Sequence, residues 1–464
     1  MGKKLGYAAF AALIMLICLI PSLGMLLPSQ GEAGGNQTLA SAPALRDGEG
    51  NLNRNYLSQM LDYLEDNYFL RQKMITGWSA LNAKLLRSSI TEDVVLGSEG
   101  WLYFGDTLED YTGTNPMTEY EIASAAHNLA LMGEYCESQS TSFLFTLAPN
   151  KNSLYPEHMP DLPRNDVRSN AERLAECLAR KRVEYLDLFA LFRERPETLY
   201  FQTDSHWNSQ GAALAADALN EALNMGRTTR YFDAHFRPEL VHKGDLYDML
   251  YPAGDGLDTD WTYCGDALQF EYDAPIRSAE NLTIMTHGQG DHSLLMFRDS
   301  FGNLLYPYMA DSSRAALFSR APDYRLDLIP EREADRVVVE LVERNIRYLI
   351  QNVPLMPAPS RSIGSFDWKA VDFAVPMERN ADKLPGYILV TGTLPVVPDP
   401  DTAVYLDGFE AFRLENGGFA AYIPEDALGE NDPAVYFTSD GVSCVSGYTE
   451  PEGEWRASLK EVQK

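Results

Sequence analysis

Cysteine is scarce in this chain, and its placement excludes the sites that cysteine usually builds. The 464 residues include five cysteines, with no CxxC pair and no cluster of cysteine and histidine. A structural zinc site needs several such ligands at close spacing, so we predict no metal, and no motif indicates a cofactor. A disulfide framework is not indicated either. Cys136 and Cys177 lie in stretches with a helical pattern and are expected to be buried free thiols.

Positive charge is also low. The chain has 38 Lys and Arg residues against 67 Asp and Glu residues, which gives a formal net charge of -29 at pH 7. Such a surface repels phosphate backbones, so we expect no nucleic-acid partner. Such a charge is typical of a secreted domain whose acidic residues keep it soluble. Internal repeats are absent, and the length predicts two or three domains.

A long apolar run occurs only near the N-terminus. Leu5–Leu27 contains no charged residue and follows Lys3 and Lys4. About 23 residues suffice to cross a bilayer, and by the positive-inside rule the two lysines should stay on the cytoplasmic side. Residues 1–28 are therefore predicted to be a single-pass anchor in the cell membrane, with the rest of the chain outside the cytoplasm. A cleaved signal peptide is the alternative, with the same outcome for the globular part. Residues 29–55 resemble a flexible spacer.

Helical patterns alternate with short apolar runs in residues 56–358. The helical patterns cover 56–87, 120–137, 165–181, 208–223 and 301–309, and the apolar runs cover 143–147, 183–188, 294–297 and 337–342. In the first helical segment, one face collects Leu57, Met60, Leu61, Leu64 and Phe69. Alternation of this kind predicts an α/β fold with a mainly parallel sheet flanked by helices.

Residues 359–464 have a different pattern. Short strands at 388–392, 403–406, 418–423 and 434–438 are separated by turn signals, and no helix of normal length is indicated. This pattern predicts a C-terminal β-sandwich domain. Its aromatic residues could stack on sugar faces, although such residues more often form a core: Trp368, Tyr387, Phe409 and Phe412.

Ser300 follows directly on a predicted buried strand. The run 294–297 leads into Arg298-Asp299-Ser300, and a helix is predicted just after it. A serine there lies at the carboxyl end of a strand, where α/β sheets bind their ligands. Its own backbone N–H points out of the helix N-terminus and can stabilise an oxyanion. Taken alone, the segment fits a serine that merely caps the helix.

Asp204 and His206 lie in the polar segment 203–208. A serine hydroxyl becomes a nucleophile when a base takes its proton, and histidine suits this role because its pKa lies near neutral pH. The imidazole must be held in one tautomer, and Asp204, two residues earlier, can accept from its other nitrogen. Taken alone, the segment also fits a surface histidine ahead of a helix with Asn208 or Ser209 as its N-cap.

Together the two segments resemble the alginate O-acetyltransferase family, also called the DHHW family, in which the Asp/His segment precedes the serine segment. The similarity covers Tyr56–Asn352, and further motifs follow in the family order. They are Leu96–Tyr103, Ala148–Lys151 with Tyr155-Pro156-Glu157, Lys243–Leu246 and Val339–Asn345. The resemblance implies an SGNH-hydrolase-like catalytic domain over residues 56–358.

The resemblance also implies roles for single residues. Ser300 is the nucleophile that carries the acetyl group, His206 is the general base and then the general acid, and Asp204 orients the imidazole. Five further side chains are expected at the substrate: Tyr306, Arg298, Lys151, Tyr155 and Trp207. Arg298 replaces a glycine of the better-known family motif, so the second oxyanion donor is open and Arg298 is alternatively expected to pair with an acidic group. No role is assigned to His127, His158, His235, His242, His287 and His292.

The activity implied by the resemblance is an extracytoplasmic O-acetyltransferase that acts on a cell-surface or secreted polysaccharide. Its expected partner is a membrane-bound O-acyltransferase that supplies acetyl groups. A polysaccharide acetylesterase would use the same triad with water as acceptor. A non-catalytic carbohydrate-binding scaffold is a third alternative, and the intact triad argues against it.

Overall fold

The computed structural model describes residues 39–446 except 47, 49, 228–229, 364–367 and 382, together with scattered positions between 6 and 19. Most of the predicted anchor Leu5–Leu27, and residues 28–38 of the spacer, lie outside the described residues. Among the residues described, no helix has both the length and the apolar character needed to span a bilayer.

The helices of the folded part are mostly short. In chain order they are α1 Tyr56–Asn67, α2 Arg71–Leu86, α3 Leu108–Thr112, α4 Glu119–Ser138, α5 Lys151–Leu154, α6 Asn170–Lys181, α7 Leu188–Arg193, α8 Ser209–Ala222, α9 Asp245–Leu250, α10 Gly302–Asp311 and α11 Leu328–Glu331. Single 3-10 turns lie at Ser98–Gly100, Gly105–Thr107, Pro156–His158, Glu415–Gly417 and Glu425–Ala427, and a longer one covers Glu343–Ile350.

The strands of the first two thirds of the chain build the central sheet and two hairpins. They are β1 Val94–Leu96, β2 Leu102–Phe104, β3 Ser142–Ala148, β4 Tyr185–Leu186, β5 Phe236–His242, β6 Asp258–Tyr263, β7 Phe270–Tyr272, β8 Thr283–Gly288, β9 Ser293–Phe297, β10 Ala315–Ser319 and β11 Arg336–Val342. The central sheet has seven strands in the order β4-β3-β11-β9-β10-β8-β7.

The central sheet confirms the predicted fold class. The pairs from β4 to β10 are parallel, and β8 and β7 join the edge in antiparallel orientation. Strands β9 and β11 are buried almost throughout, which explains their continuous apolar sequence. The helices cover both faces of the sheet, and one apolar core lies on each side.

The C-terminal region is β-rich. Its strands are β12 Lys369–Ala370, β13 Met377–Asn380, β14 Tyr387–Thr393, β15 Tyr405–Leu406, β16 Phe409–Glu410, β17 Phe412–Arg413, β18 Gly418–Pro424, β19 Val435–Ser439 and β20 Val442–Ser446. They form one sheet of five strands and one of four, with a shared apolar core that includes Val390, Phe419 and Phe437.

The C-terminal region packs closely on α4. Phe412 enters the core of the central sheet, and Arg413 is fully buried beside it. The Asn128 side chain binds both backbone groups of Arg413, with its amide donating at 2.9 Å and its carbonyl oxygen accepting at 2.9 Å. A fully buried Phe412 is a core residue rather than a sugar-stacking one.

Three predicted boundaries differ from the structure. The helical segment 56–87 is broken at Leu70, which has a left-handed backbone, into α1 and α2. The helix predicted from residue 165 begins at Asn170, because Ser169 and Glu172 form a capping box. The strand predicted at 183–188 is reduced to β4. The expected free thiols Cys136 and Cys177 are buried.

Candidate active site

Ser300 lies in a short loop between β9 and α10, and its neighbour Asp299 fixes that loop. One Asp299 carboxylate oxygen accepts the Phe301 amide at 2.9 Å. The other oxygen accepts the Val342 amide at 2.7 Å and the Asn345 side-chain amide at 3.0 Å. The loop is thereby tied to the end of β11, the neighbouring parallel strand, and Ser300 is held half-buried at the carboxyl edge of the sheet.

Arg298 supports the serine loop from below. Its guanidinium donates to the Asn303 side chain at 2.7 Å and to the Ala279 carbonyl at 2.7 Å. A Cβ atom on Gly302 would lie 2.5 Å from the Arg298 side chain, so the first position of α10 requires glycine. Arg298 therefore replaces the small residue of the family motif without displacing the loop. Among the residues that the structure describes, no acidic group lies within 4 Å of the guanidinium, so its alternative pairing is not seen there.

Asp204 and His206 lie on the loop before α8. The helix is capped by Asn208, whose side-chain oxygen accepts the Gln210 and Gly211 amides at 3.0 Å each. Trp207 is fully buried, and its indole N–H donates to the Phe301 carbonyl at 3.0 Å. The Trp207 bond joins the two loops directly and sets their distance.

The two loops bring serine, histidine and aspartate into one hydrogen-bonded line. The Ser300 Oγ lies 2.8 Å from His206 Nε2, and His206 Nδ1 lies 2.7 Å from Asp204 Oδ1. The Asp204 side chain is buried, whereas 22% of the His206 side chain is exposed. The geometry is that of a nucleophile, a base and an orienting carboxylate.

His242, to which the sequence assigned no role, binds the far side of Asp204. Its Nε2 lies 2.8 Å from Asp204 Oδ2, and the Asp245 amide donates to the same oxygen at 2.9 Å. The Asp245 carboxylate in turn accepts from the Ser205 amide at 2.8 Å and from its hydroxyl at 2.6 Å. The Lys243–Leu246 motif is therefore part of the site. The motif and His242 lie 38 residues or more after Asp204 in the sequence, so local spacing could not predict that they contact it.

Gly244 explains why that motif needs glycine. A Cβ atom at this position would lie 2.2 Å from the Thr203 carbonyl oxygen. No other residue fits such an approach between two backbone segments. The contact aligns the start of α9 with the Asp204 loop.

Lys151 holds the Asp204 loop from beneath. Its ammonium donates to the carbonyls of Phe201 at 3.1 Å, Gln202 at 3.1 Å and Asp204 at 2.6 Å. The same ammonium lies 5.5 Å from the centre of the Trp101 ring and 5.2 Å from that of Tyr103. The Leu96–Tyr103 motif of the β1–β2 hairpin thus packs against the Lys151 ammonium.

The electrostatics follow from burial and the short contacts. Burial acts to raise the pKa of Asp204, but the charges and hydrogen bonds of His206 and His242 outweigh it and hold that pKa well below its usual value. Burial acts to lower the pKa of His206, yet the Asp204 charge raises it overall. Burial lowers the pKa of Lys151 to about 7. The catalytic imidazolium is therefore stabilised within the site.

A cavity of about 430 Å³ opens beside Ser300. Its polar lining includes Asn345, Gln351, Asn352 and the exposed ring of Tyr348. Arg320, on the opposite wall, contacts Glu280. Amide and phenol groups can donate to and accept from hydroxyl groups, so the cavity suits a polar, hydroxyl-rich ligand.

The ligand atoms of Asp204, His206 and Asp245 lie within 4.8 Å of one another, a spacing that could suit a metal ion. Each of these atoms already takes part in the hydrogen bonds described above, and both nitrogens of His206 are engaged. The ligand atoms of Asp204, His206 and Asp245 are thus all bound to protein groups, and we assign no metal to them.

The structure places the five residues expected at the substrate differently. Lys151, Trp207 and Tyr306 are buried, and their polar atoms bind groups of the protein. The Tyr306 hydroxyl lies 2.8 Å from that of Tyr272. The Tyr155 hydroxyl accepts the Leu199 amide at 2.9 Å. Arg298 alone of the five lines the cavity, with its guanidinium bound to protein atoms.

A family model gives an independent comparison. Residues 94–262 match the SGNH hydrolase-like domain of the acetyltransferase AlgX. The matched segment is a little over a third of this chain, and in that segment the chain is similar to the family. The resemblance drawn from the motifs is thereby confirmed. Asp204, His206, His242 and Asp245 lie within the matched segment, and Ser300 lies beyond it.

Curated relatives match a similar share of the chain. A probable alginate O-acetylase AlgJ of Pseudomonas syringae pv. tomato is 26% identical over 209 residues, which are 43% of this chain and 51% of the relative. The AlgJ protein of Pseudomonas fluorescens is 24% identical over 207 residues, 42% of this chain and 50% of the relative. The chain thus spans about half the length of the curated relatives it matches.

Solved structures also overlap with the chain. Bacillus cereus PatB1 with a sulfonyl adduct has a TM-score of 0.41 at 16% identity, covering 55% of this chain and 97% of PatB1. A DHHW family protein from Eubacterium siraeum has a TM-score of 0.41 at 18% identity, covering 57% and 99%. The O-acetyltransferase domain of Pseudomonas putida AlgJ has a TM-score of 0.38 at 16% identity, covering 55% and 91%.

Proposed function

We propose that this protein is an O-acetyltransferase that moves acetyl groups to a polysaccharide through an acetyl-enzyme on Ser300. The observation that carries the proposal is the continuous line from Ser300 Oγ through His206 to Asp204, with contacts of 2.8 and 2.7 Å. The position of Ser300 at the carboxyl edge of a parallel sheet supports acyl transfer. The similarity of the segment that holds Asp204 and His206 to the acetyltransferase AlgX supports it as well.

The first half of the reaction forms the acetyl-enzyme. Ser300 Oγ attacks the carbonyl carbon of an acetyl ester while His206 Nε2 takes the serine proton. The resulting tetrahedral oxyanion collapses, the bond to the leaving oxygen breaks, and His206 returns the proton to that oxygen. Asp204 stabilises the imidazolium during this step and remains ionised, in keeping with its lowered pKa.

The second half transfers the acetyl group to an acceptor. A sugar hydroxyl attacks the acetyl-enzyme carbonyl, and His206 takes the proton of that hydroxyl. Collapse of the second oxyanion breaks the bond to Ser300 Oγ, which regains a proton from His206. The products are an acetylated sugar and the free enzyme.

Two groups are positioned to bind the oxyanion. The Ser300 amide makes no hydrogen bond to any residue that the structure describes, so its N–H is available. Asn345 lines the same cavity, and its side-chain amide has two N–H groups, one of which binds Asp299. We assign Asn345 as the second oxyanion donor. The sequence left this role open because Arg298 stands where the family motif has glycine.

His242 and Asp245 act as positioning residues. They bind the Asp204 oxygen that His206 does not use, so the carboxylate cannot rotate away from the imidazole. Their contact with the substrate is indirect, through Asp204 and His206.

The substrate and the setting are further parts of the proposal. The AlgJ relatives are named for acetylating alginate, and the cavity beside Ser300 suits a hydroxyl-rich chain. The proposed location is the outer side of the cell membrane, with Leu5–Leu27 as a single-pass anchor. There a membrane-bound O-acyltransferase would supply the acetyl groups.

Acetylesterase activity is a second candidate, because the imidazole is partly exposed and water can reach it. The purified full-length chain in detergent should release p-nitrophenol from its acetate ester. Ser300→Ala should abolish this activity, whereas Ser88→Ala, at an exposed serine, should not.

The acceptor separates the two activities. Added oligosaccharide should gain acetate faster than water does if the protein is a transferase. Faster release of free acetate at every acceptor concentration would favour the esterase. Equal ester cleavage by wild type and Ser300→Ala would contradict both and leave the scaffold alternative.

A further inference from the structure

Helices α1 and α2 expose large apolar side chains. On α1 these are Leu57, Leu61 and Leu64, and on α2 they are Met74, Trp78, Leu81 and Leu85. The exposed fraction reaches 77% at Leu57, 58% at Trp78 and 68% at Leu85. We call these seven residues the apolar stripe. The sequence pattern predicted Leu57, Leu61 and Leu64 on one face, and the structure turns that face to the outside.

The spacing within the stripe is helical. Successive residues are three or four positions apart on each helix, so they form one continuous face. The opposite face of α2 contacts the fold, where Ser79 is buried and the Thr76 hydroxyl accepts the Ala253 amide at 2.9 Å. Ile75 lies with Thr76 and Ser79 on the side of α2 that contacts the fold, and the side that carries the stripe is left exposed by the residues that the structure describes.

The charge around α2 differs in sign from that of the chain. No acidic residue occurs between Asp66 and Glu92, whereas this segment contains Arg71, Lys73, Lys84 and Arg87. Lys73, Lys84 and Arg87 are exposed. Helix α1, by contrast, carries Asp62, Glu65 and Asp66, and Asp66 pairs with Arg71. In a chain of net charge -29, the α2 surface therefore differs from that of α1 and suits a negatively charged partner.

We infer that the α2 part of the apolar stripe docks on the surface of an anionic lipid bilayer. Apolar residues, an interfacial tryptophan and flanking cations on one helical surface are the features that bind such interfaces. The inference is independent of acetyl transfer. A second copy of the chain fits less well, since two α2 surfaces facing each other would oppose like charges.

Chain length favours the same partner. Helix α1 begins 29 residues after Leu27, the last residue of the N-terminal apolar run. Ala40 is bound to Asp66 and Asn67 at the end of α1, so the folded part begins 13 residues after Leu27. A random coil of that length spans about 20 Å on average. If Leu5–Leu27 is anchored as proposed, the stripe stays within reach of the bilayer at all times.

Docking would also orient the active site. Helix α2 packs against α9, and the first residue of α9, Asp245, binds Asp204 through its amide. The triad is therefore coupled through one helix to the docking surface.

Lipid quenching of Trp78 tests the inference. The full-length chain would be placed in nanodiscs of brominated phosphatidylglycerol or brominated phosphatidylcholine, and the emission of Trp78→Phe subtracted from that of wild type. We expect the Trp78 emission to fall at least twofold in phosphatidylglycerol and to recover in high salt, which screens the cations. Equal quenching in both lipids would overturn the assignment to anionic lipid.

Charge variants provide the matched control. Lys73→Gln/Lys84→Gln/Arg87→Gln should lose the quenching, whereas Arg168→Gln/Arg332→Gln/Lys369→Gln, with three exposed cations elsewhere, should keep it. Absence of Trp78 quenching in either lipid would overturn the inference, as would disulfide-linked dimers of Leu85→Cys, which would assign the stripe to a second copy. Ester cleavage measured in the same nanodiscs reports on the proposed function separately.

Discussion

The two loops of the candidate site are held in different ways. The Ser300 loop is fixed by its own neighbour, Asp299, which binds the end of the adjacent strand. The Asp204–His206 loop is fixed by distant residues, namely Lys151, His242 and Asp245. The proposed nucleophile is thus positioned by the sheet, whereas the proposed base is positioned by a buried polar network. Substitutions in the two loops should therefore fail in different ways.

The largest effect should come from Asp204→Asn. The amide cannot hold His206 in the required tautomer, so kcat should fall by about 10⁴-fold. The Asp204 charge raises the pKa of His206, so its loss should also shift the acidic limb of the pH–rate profile to lower pH. A profile of residual activity that keeps its wild-type acidic limb would show that Asp204 does not act on His206.

On the serine side, Asn345→Ala removes the second proposed oxyanion donor. We expect kcat to fall by about 10²-fold with little change in KM, because the lost hydrogen bond strengthens in the transition state. Asn352→Ala, at another amide in the same cavity, is the matched control and should affect KM more than kcat. The reverse pattern would place Asn345 in substrate binding.

His242→Leu tests the network on the histidine side. Leucine keeps the packing on the Phe201 ring but removes the bond to Asp204. With one partner fewer, Asp204 interacts more strongly with His206, so the acidic limb should move to higher pH, opposite to its shift in Asp204→Asn. We expect about a tenfold loss of kcat below neutral pH, and His242→Gln, which can still donate, should restore most of it. Identical limbs in wild type and His242→Leu would reduce His242 to a packing role.

Lys151→Met should act mainly on stability. Three carbonyls lose their donor, which should cost about 2–3 kcal/mol. Because burial lowers the pKa of Lys151 to about 7, the unfolded chain binds more protons than the folded one between that value and its ordinary pKa. Wild-type stability should therefore rise with pH over this range, and the variant should lack that part of the rise. Denaturant unfolding at pH 7 and pH 9 measures the difference.

The same contrast explains what the sequence could reveal. The place of Ser300 between a strand and a helix was predictable, because an apolar strand, a polar loop and a helix follow one another along the chain. Its link to Asp204 and His206 came from the family resemblance, since each segment alone also fits a capping serine or a surface histidine. His242 and Asp245 were not, since only the folding of β5 and α9 brings them to Asp204.

Side chains that support the site were the least predictable. Family motifs placed Lys151 and Trp207 near the triad, but only the structure shows that they are buried and donate to carbonyl groups of the protein. The helical pattern at 56–87 was recognised, yet pattern alone could not show that Leu57 and Leu61 face outward. Periodicity identifies a face, and packing decides what covers it.

Direct detection of the intermediate tests the central claim most closely. The full-length chain would be mixed with p-nitrophenyl acetate, quenched in acid within the first turnover, and analysed by intact-mass and peptide mass spectrometry. We expect the protein to gain one acetyl group, located on Ser300 and absent from Ser300→Ala. Rapid ester cleavage without an acetylated Ser300, or with the acetyl group on another residue, would contradict it.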